Sequence, residues 1–332
     1  MNKLLGYVAV AAVLAFPLSA TVVSPVQAQD NDALTVYGRA NVSFQSNDEG
    51  NADGRYTDVV SNSSRFGFKG FADLENDLEV FYQLEFGIDL ADFDEGDDAV
   101  TNRNQVVGLR GNFGEVMLGR YDTFLKDSQG KIDEFTDYEA DLKSLFRGEN
   151  RPDNTLTYYS PAFNNIKFGM TYIASDDEDG DDGVSFGLLY GDAKLNKTNF
   201  YAAIAVDRDV ANYDIEQLSV ATKFGDVRVG AAIQQFESIN GLYDGDGYLV
   251  SAAYPYNNWV FKGQYQSVDE SGDTDASFSF GADYFFSGDT RVYAWFTGRE
   301  CDIQQYESRG CSATPGTEQD YLAVGIRHDF SW

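Results

Sequence analysis

Residues 77–90 read DLEVFYQLEFGIDL and alternate almost throughout. Leu78, Val80, Tyr82, Leu84, Phe86, Ile88 and Leu90 fall on one face of a period-two strand, and Glu79, Gln83, Glu85 and Asp89 fall on the other. Such a strand has two possible addresses. In a soluble sheet the apolar side meets a core and the polar side meets water. In a closed membrane-spanning barrel the apolar side meets lipid and the polar side a wet lumen. The rest of the chain decides between them.

Residues 1–28 read as a cleaved signal peptide rather than as part of the fold. Lys3 gives a short positive region, LLGYVAVAAVLAF an apolar core too short to span, and Val26-Gln27-Ala28 small residues ahead of a cut before Gln29. Residues 29–332 are then one exported domain. After Ala28 no run approaches the roughly 20 apolar residues of a spanning helix, which excludes a helical inner-membrane protein. The 21 Tyr, 25 Phe and 32 Gly, against 3 Met and 6 Pro, favour aromatic-rich strands joined by tight turns.

Acids outnumber bases 54 to 24. Without residues 1–28 the formal charge is about −31. Such a chain repels nucleic acid, and no basic patch rescues that role. The acids gather in runs at 92–98 (DFDEGDD), 176–182 (DDEDGDD), 244–246 and 269–275 (DESGDTD), read first as solvated loop tips. They are also expected to bind divalent cations weakly, although 177–180 lacks the ligand spacing of a dedicated calcium loop. No other cofactor is expected. Cys301 and Cys311 pass through an oxidising compartment, and a disulfide between them contributes on the order of 2 to 3 kcal/mol.

From Leu34 onward an alternating segment of about ten residues repeats, with connections alternately short and long. Sixteen segments begin near Leu34, Tyr56, Asp77, Thr101, Val116, Asn154, Ile166, Gly183, Asn199, Ile215, Val227, Gly247, Trp259, Ala276, Arg291 and Gln319. Sorted connection lengths and an even strand count are features of a bacterial outer-membrane barrel, and a sandwich has no reason for them. Residues 101–111 alternate poorly, which points to a face against a partner subunit. The last segment, QDYLAVGIRHDFSW, puts Leu322, Val324, Ile326, His328, Phe330 and Trp332 on one face. Phe330 and Trp332 suit an interfacial aromatic girdle, whereas in water this strand would be a poorly protected edge.

In order along the chain stand LTVYGR (34–39), SRFGFKG (64–70), Arg103-Asn104-Gln105 before Val107-Gly108-Leu109, and FGEV (113–116) before Leu118-Gly119-Arg120. Arg151, Asn154, TYYSP (157–161) and the terminal Phe330 and Trp332 follow. In these the chain resembles the general porins of Gram-negative outer membranes, trimeric sixteen-stranded diffusion channels. The resemblance implies a homotrimer among lipid and lipopolysaccharide, and an all-β barrel whose long third external loop folds into the lumen. Acids on that loop would then face bases on the wall. Residues 121–150 are too long for an ordinary hairpin, and carry Asp127, Asp133, Glu134 and Asp137 among their acids. Arg65, Arg103 and Arg151 match the family's basic wall, and Glu134 its acidic constriction residue. Strand parity independently aims Arg39, Arg65, Lys69 and Arg151 at the polar side.

The implied activity is passive diffusion of ions and small hydrophilic solutes. Wall arginines favour anions, while acidic runs at the mouth favour cations; the excess of acids gives the expectation of mild cation preference. A solute-selective channel for sugars or anions is the runner-up, with Phe124, Phe135, Tyr138 and Phe146 as a candidate aromatic path or, equally, as packing of the loop. An outer-membrane enzyme would need a histidine base, and the one histidine, His328, lies on the apolar face. A soluble β-sandwich adhesin is the remaining alternative.

Overall fold

Strands adjacent in the sheet follow chain order and pair antiparallel, and the last returns to the first. The arrangement is seen in a computed structural model that describes residues 33–92, 99–176, 180–303, 310–311 and 315–332. The signal peptide and the acidic runs at 93–98 and 177–179 lie outside the described residues. The strands are β1 (Ala33–Asp48), β2 (Tyr56–Ser61), β3 (Arg65–Asp73), β4 (Glu79–Ile88), β5 (Val100–Gly111), β6 (Gly114–Arg120) and β7 (Thr155–Tyr159). They continue with β8 (Ile166–Ile173), β9 (Gly183–Gly191), β10 (Phe200–Val210), β11 (Tyr213–Phe224), β12 (Val227–Ser238) and β13 (Asp244–Tyr256). The set ends with β14 (Trp259–Glu270), β15 (Asp273–Phe285), β16 (Thr290–Cys301) and β17 (Thr317–Ser331).

These segments occupy sixteen positions around a closed barrel. β2 and β3 pair with successive parts of β1, Val42 to Asn47 and Ala33 to Arg39, so they are one strand interrupted near Ser63, which has a φ of 53°. Each expected start lies within three residues of an observed one. Closure runs from Tyr37 opposite Ser331 to Asp48 opposite Asp320. The backbones of Val36 and Trp332 add two hydrogen bonds, at 2.9 and 3.0 Å.

The faces are inverted relative to a soluble protein. Asn41, Ser43 and Gln45 are at most 1% exposed, whereas Leu322, Val324 and Ile326 are each more than half exposed. Polar rows therefore turn inward and apolar rows outward, as lipid on the outside requires. The opening stretch obeys the rule: Glu85 is buried, and Tyr82 and Leu84 are exposed.

The poor alternation of residues 101–111 has a local cause. Leu84 pairs with Gln105 but Phe86 with Asn102, so two residues, Arg103 and Asn104, stand where Glu85 alone faces them. This β-bulge shifts the phase of β5, and bulges re-aim side chains in this way. The bulge accounts for the shift in phase; Asn102 and Gln105 still fall on the outward row, opposite Phe86 and Leu84.

Between β6 and β7 lies the long connection 121–154. It holds one helical turn, α1 (Phe124–Asp127), capped by Thr123, and a 3-10 turn at Leu142–Ser144. Its hydrogen bonds go to the polar rows. Leu125 N donates to Ser185 Oγ (2.9 Å), Glu134 N to Gln264 Oε1 (3.0 Å), Gln234 Nε2 to Arg147 O (2.9 Å) and Tyr201 Oη to Ser128 O (2.7 Å). Phe124, Phe135, Tyr138 and Phe146 are all buried. Of the two roles open to these rings, packing is therefore the one observed. Phe124 sits against Gly169 and Gly187, a cross-strand pair on β8 and β9, and a Cβ on Gly169 would lie 2.2 Å from its ring.

Candidate functional site

Strand register gathers cations that are scattered in sequence. Arg39 stands directly opposite Arg65 across β1 and β3, and Arg291 directly opposite Arg327 across β16 and β17. Since β17 closes onto β1, these four belong to neighbouring strands, and the β5 bulge brings in Arg103. Like charges directly opposite one another destabilise a sheet. Here acids are shared between them, one carboxylate to two cations.

Asp137 accepts from Arg39 Nη1 at 2.5 Å and from Arg65 Nη2 at 3.1 Å. Asp329 lies 2.9 Å from Arg39 and 2.7 Å from Arg327. Glu85 lies 2.6 Å from Arg103 and 3.8 Å from Arg65. Asp283 lies 3.1 Å from Lys262 and 3.6 Å from Arg291. Asp122 lies 2.8 Å from Arg151 and 3.3 Å from Lys126. A carboxylate shared in this way satisfies geometry but leaves charge over.

That surplus lines a cavity of about 610 Å³, bounded by 11 Lys and Arg and 7 Asp and Glu among the described residues. Of the residues expected at a constriction, Arg39, Arg65, Arg103, Arg151, Asp133, Glu134 and Asp137 line it together. Lys69 and Asp127 do not line it. The Lys69 ammonium lies 5.1 Å from the centre of the Tyr37 ring. Asp127, at the end of α1, accepts a hydrogen bond from Tyr159 Oη.

The acids of the long connection divide by role. Asp133 faces its own backbone, accepting from Phe135 N at 2.7 Å and Leu142 N at 2.9 Å. Burial, then Asp141 nearby, pushes its carboxyl well above the usual range. Glu134 is held by Arg228 through two hydrogen bonds of 2.5 and 2.6 Å. Asp137 differs from Asp133: burial acts to raise it, yet Arg65 and Arg39 hold it below the ordinary carboxylate range. It is the dependable anion opposite the arginines. Burial, helped by Arg228, lowers the Lys131 ammonium.

Lys262, Arg291, Arg327 and Arg228 join the cavity without having been singled out in the sequence. Parity was the available signal, since Arg327 falls between Ile326 and His328 on the polar side. His328 points outward, with Nδ1 2.8 Å from Thr290 Oγ1. Cys301 and Cys311 form the expected disulfide. The Phe330 and Trp332 rings lie with centroids 5.1 Å apart and planes tilted by 33°, Trp332 being 78% exposed. Among the described residues, no group of three or more His, Cys, Asp or Glu is arranged to hold a metal ion.

The sequence model of a family described as Gram-negative porin matches residues 9–298. A monosaccharide porin of a Halomonas species is 30% identical over 309 residues, covering 82% of this chain and 81% of its own. The major outer membrane protein P.IB of Neisseria meningitidis serogroup B is 28% identical over 306 residues, covering 82% and 85%. Among solved structures, an anion-selective porin from Comamonas acidovorans superposes with a TM-score of 0.72 at 20% identity, covering 90% of this chain and all of that one.

Proposed function

Because this chain belongs to the Gram-negative porin family and forms an outer-membrane channel, we propose that it is a general diffusion porin with residues 121–154 folded into the lumen as its constriction. Ions and small hydrophilic solutes cross it passively, and the constriction favours small anions. The observation carrying this reading is the surplus of cations around the cavity, 11 against 7 acids in the lining, a surplus that remains when Glu85 and Asp329, paired with lining arginines, are added to the acids. Charges lining a narrow section act on each passing ion at close range and set selectivity.

The overall charge argues the other way only at a distance. Acidic loops at the mouth raise the local cation concentration, but over about 30 Å at 0.01 M salt and only about 3 Å at 1 M. The expected cation preference therefore belongs to dilute salt, and anion preference emerges as salt rises. A homotrimer, embedded in lipopolysaccharide through weakly bound divalent cations, completes the proposal. Reversal potentials of the refolded protein in planar bilayers, under salt gradients centred on dilute and on concentrated KCl, test it. Cation selectivity that persists at high salt would refute the anion-favouring constriction.

The Halomonas relative's name favours a second reading, uptake of monosaccharides. The side chains that would hold a sugar are the polar and charged ones that line the same cavity, since the aromatic rings of the long connection are taken up by packing. Faster swelling of liposomes in hexoses than in zwitterions of equal size would support it.

A further inference from the structure

The connection between β16 and β17 closes a ring of its own through the Cys301–Cys311 disulfide. Its described ends are packed inward. Cys301, Ile303 and Cys311 are 1%, 3% and 6% exposed and share one apolar cluster with Leu142, Leu145 and Phe146 of the long connection 121–154. Asp275 on β15 fixes the start of the ring, its Oδ1 accepting from the backbone N–H of Asp302 at 2.7 Å and Ile303 at 2.9 Å.

Arg299 ties the two connections together. It is 2% exposed. Its Nη2 donates to Glu139 O at 2.5 Å in the long connection, and its Nη1 donates to Gly310 O inside the disulfide ring and to Gln319 Oε1 on β17 at 3.0 Å. Gly310, with a φ of 117°, lies close against the long connection: a Cβ there would lie 3.1 Å from Ser144 O. Neither Arg299 nor either cysteine lines the 610 Å³ cavity, so none of them can touch a passing solute there.

We infer that the Cys301–Cys311 disulfide and Arg299 form a latch that sets the position of residues 139–146, and through them the bore of the channel. The inference rests on the porin reading. Arg299 is a positioning residue that acts through the Glu139 carbonyl, and the disulfide keeps the Gly310 carbonyl within its reach. Closing the ring covalently limits how far Gly310 and Ile303 can drift from the 3-10 turn at Leu142–Ser144.

The test compares native protein, C301S/C311S, Arg299→Gln and Arg299→Lys in planar bilayers. It reads single-channel conductance, open-channel noise and the largest polyethylene glycol that enters, with heat-modifiable migration reporting barrel closure. Loss of the latch is expected to leave the barrel closed, to raise noise about twofold or more and to admit larger polymers, as local loosening of a lining segment does. Arg299→Lys, which retains a donor and the charge, should fall between native and Arg299→Gln. Should a variant fail to fold, folded native protein treated with dithiothreitol serves instead. The reagent ends as its cyclic disulfide while the protein gains two thiols, and reoxidation should restore the native trace. Native conductance, noise and cut-off in closed-barrel variants and in the reduced protein would overturn the latch alone. Absence of conductance from closed native barrels would overturn the channel reading and the latch with it.

Discussion

Replacing Asp137 by Asn removes one negative charge from the lining while leaving the shape of the side chain. The cavity of about 610 Å³ has the volume of a sphere of about 5 Å radius. A unit charge at about 5 Å in a water-like lumen is worth about 0.8 kcal/mol, which screening at 0.1 M salt cuts to about 0.5 kcal/mol. An anion gains this and a cation loses it, so the anion-to-cation permeability ratio should rise roughly fivefold. The assay is the reversal potential in a planar bilayer under a KCl gradient near 0.1 M. Arg65→Gln, on the other side of the same contact, should move the ratio by a similar factor toward cations. Phe135 and Tyr138, packed on either side of Asp137 in sequence, keep the segment anchored in both variants. If both variants form closed barrels and the two shifts share a sign or vanish, the lining charge does not set selectivity.

Asp127 gives a pH signature. Burial and then Asp122 push its carboxyl from 3.8 up to about 7, so between those values the folded protein holds a proton that the unfolded chain has released. Stability should therefore fall as pH rises from about 4 to about 7, by at most about 4 kcal/mol from this group, and Asp127→Asn should flatten that slope in thermal melts. Gly169→Ala should force the Phe124 ring off its seat and cost about 1 to 3 kcal/mol, read as a lower melting temperature with the barrel still closed. Arg228→Gln leaves Glu134, whose side chain is 7% exposed, without its charged partner. A loss of about 1 to 3 kcal/mol in denaturant melts is expected, and an unchanged midpoint would show that Glu134 finds water or another donor.

Strand starts were legible because alternation is local: each needs only its own ten residues. Arg39 and Arg65 were legible for the same reason. Arg291 and Arg327 were not, since what makes them neighbours of Arg39 is closure of the barrel, which pairs Arg39 with Asp329 across 290 residues. Parity placed them inward but could not say at what height. Asp133 shows a second limit. As a loop acid it reads like Asp137, yet its oxygens are taken up by its own backbone, and no residue pattern distinguishes a carboxylate that folds a loop from one that faces an opening. The irregularity at 101–111 was visible in the sequence, but the surplus residue opposite Glu85 that shifts its phase appears only when β4 and β5 are set in register.

A surplus residue can also be lost. Elsewhere in a strand, deleting one position turns every later side chain to the opposite face. At the β5 bulge, deleting Arg103 would set Asn104 opposite Glu85 and leave the pairs Phe86 with Asn102 and Leu84 with Gln105 as they are. One cation would leave the lumen while the lipid-facing row stayed in place. In evolutionary terms, this position makes an insertion or deletion a graded adjustment of channel charge, so lineages of such barrels can diverge in the ions they admit without rebuilding the wall that holds them in the membrane.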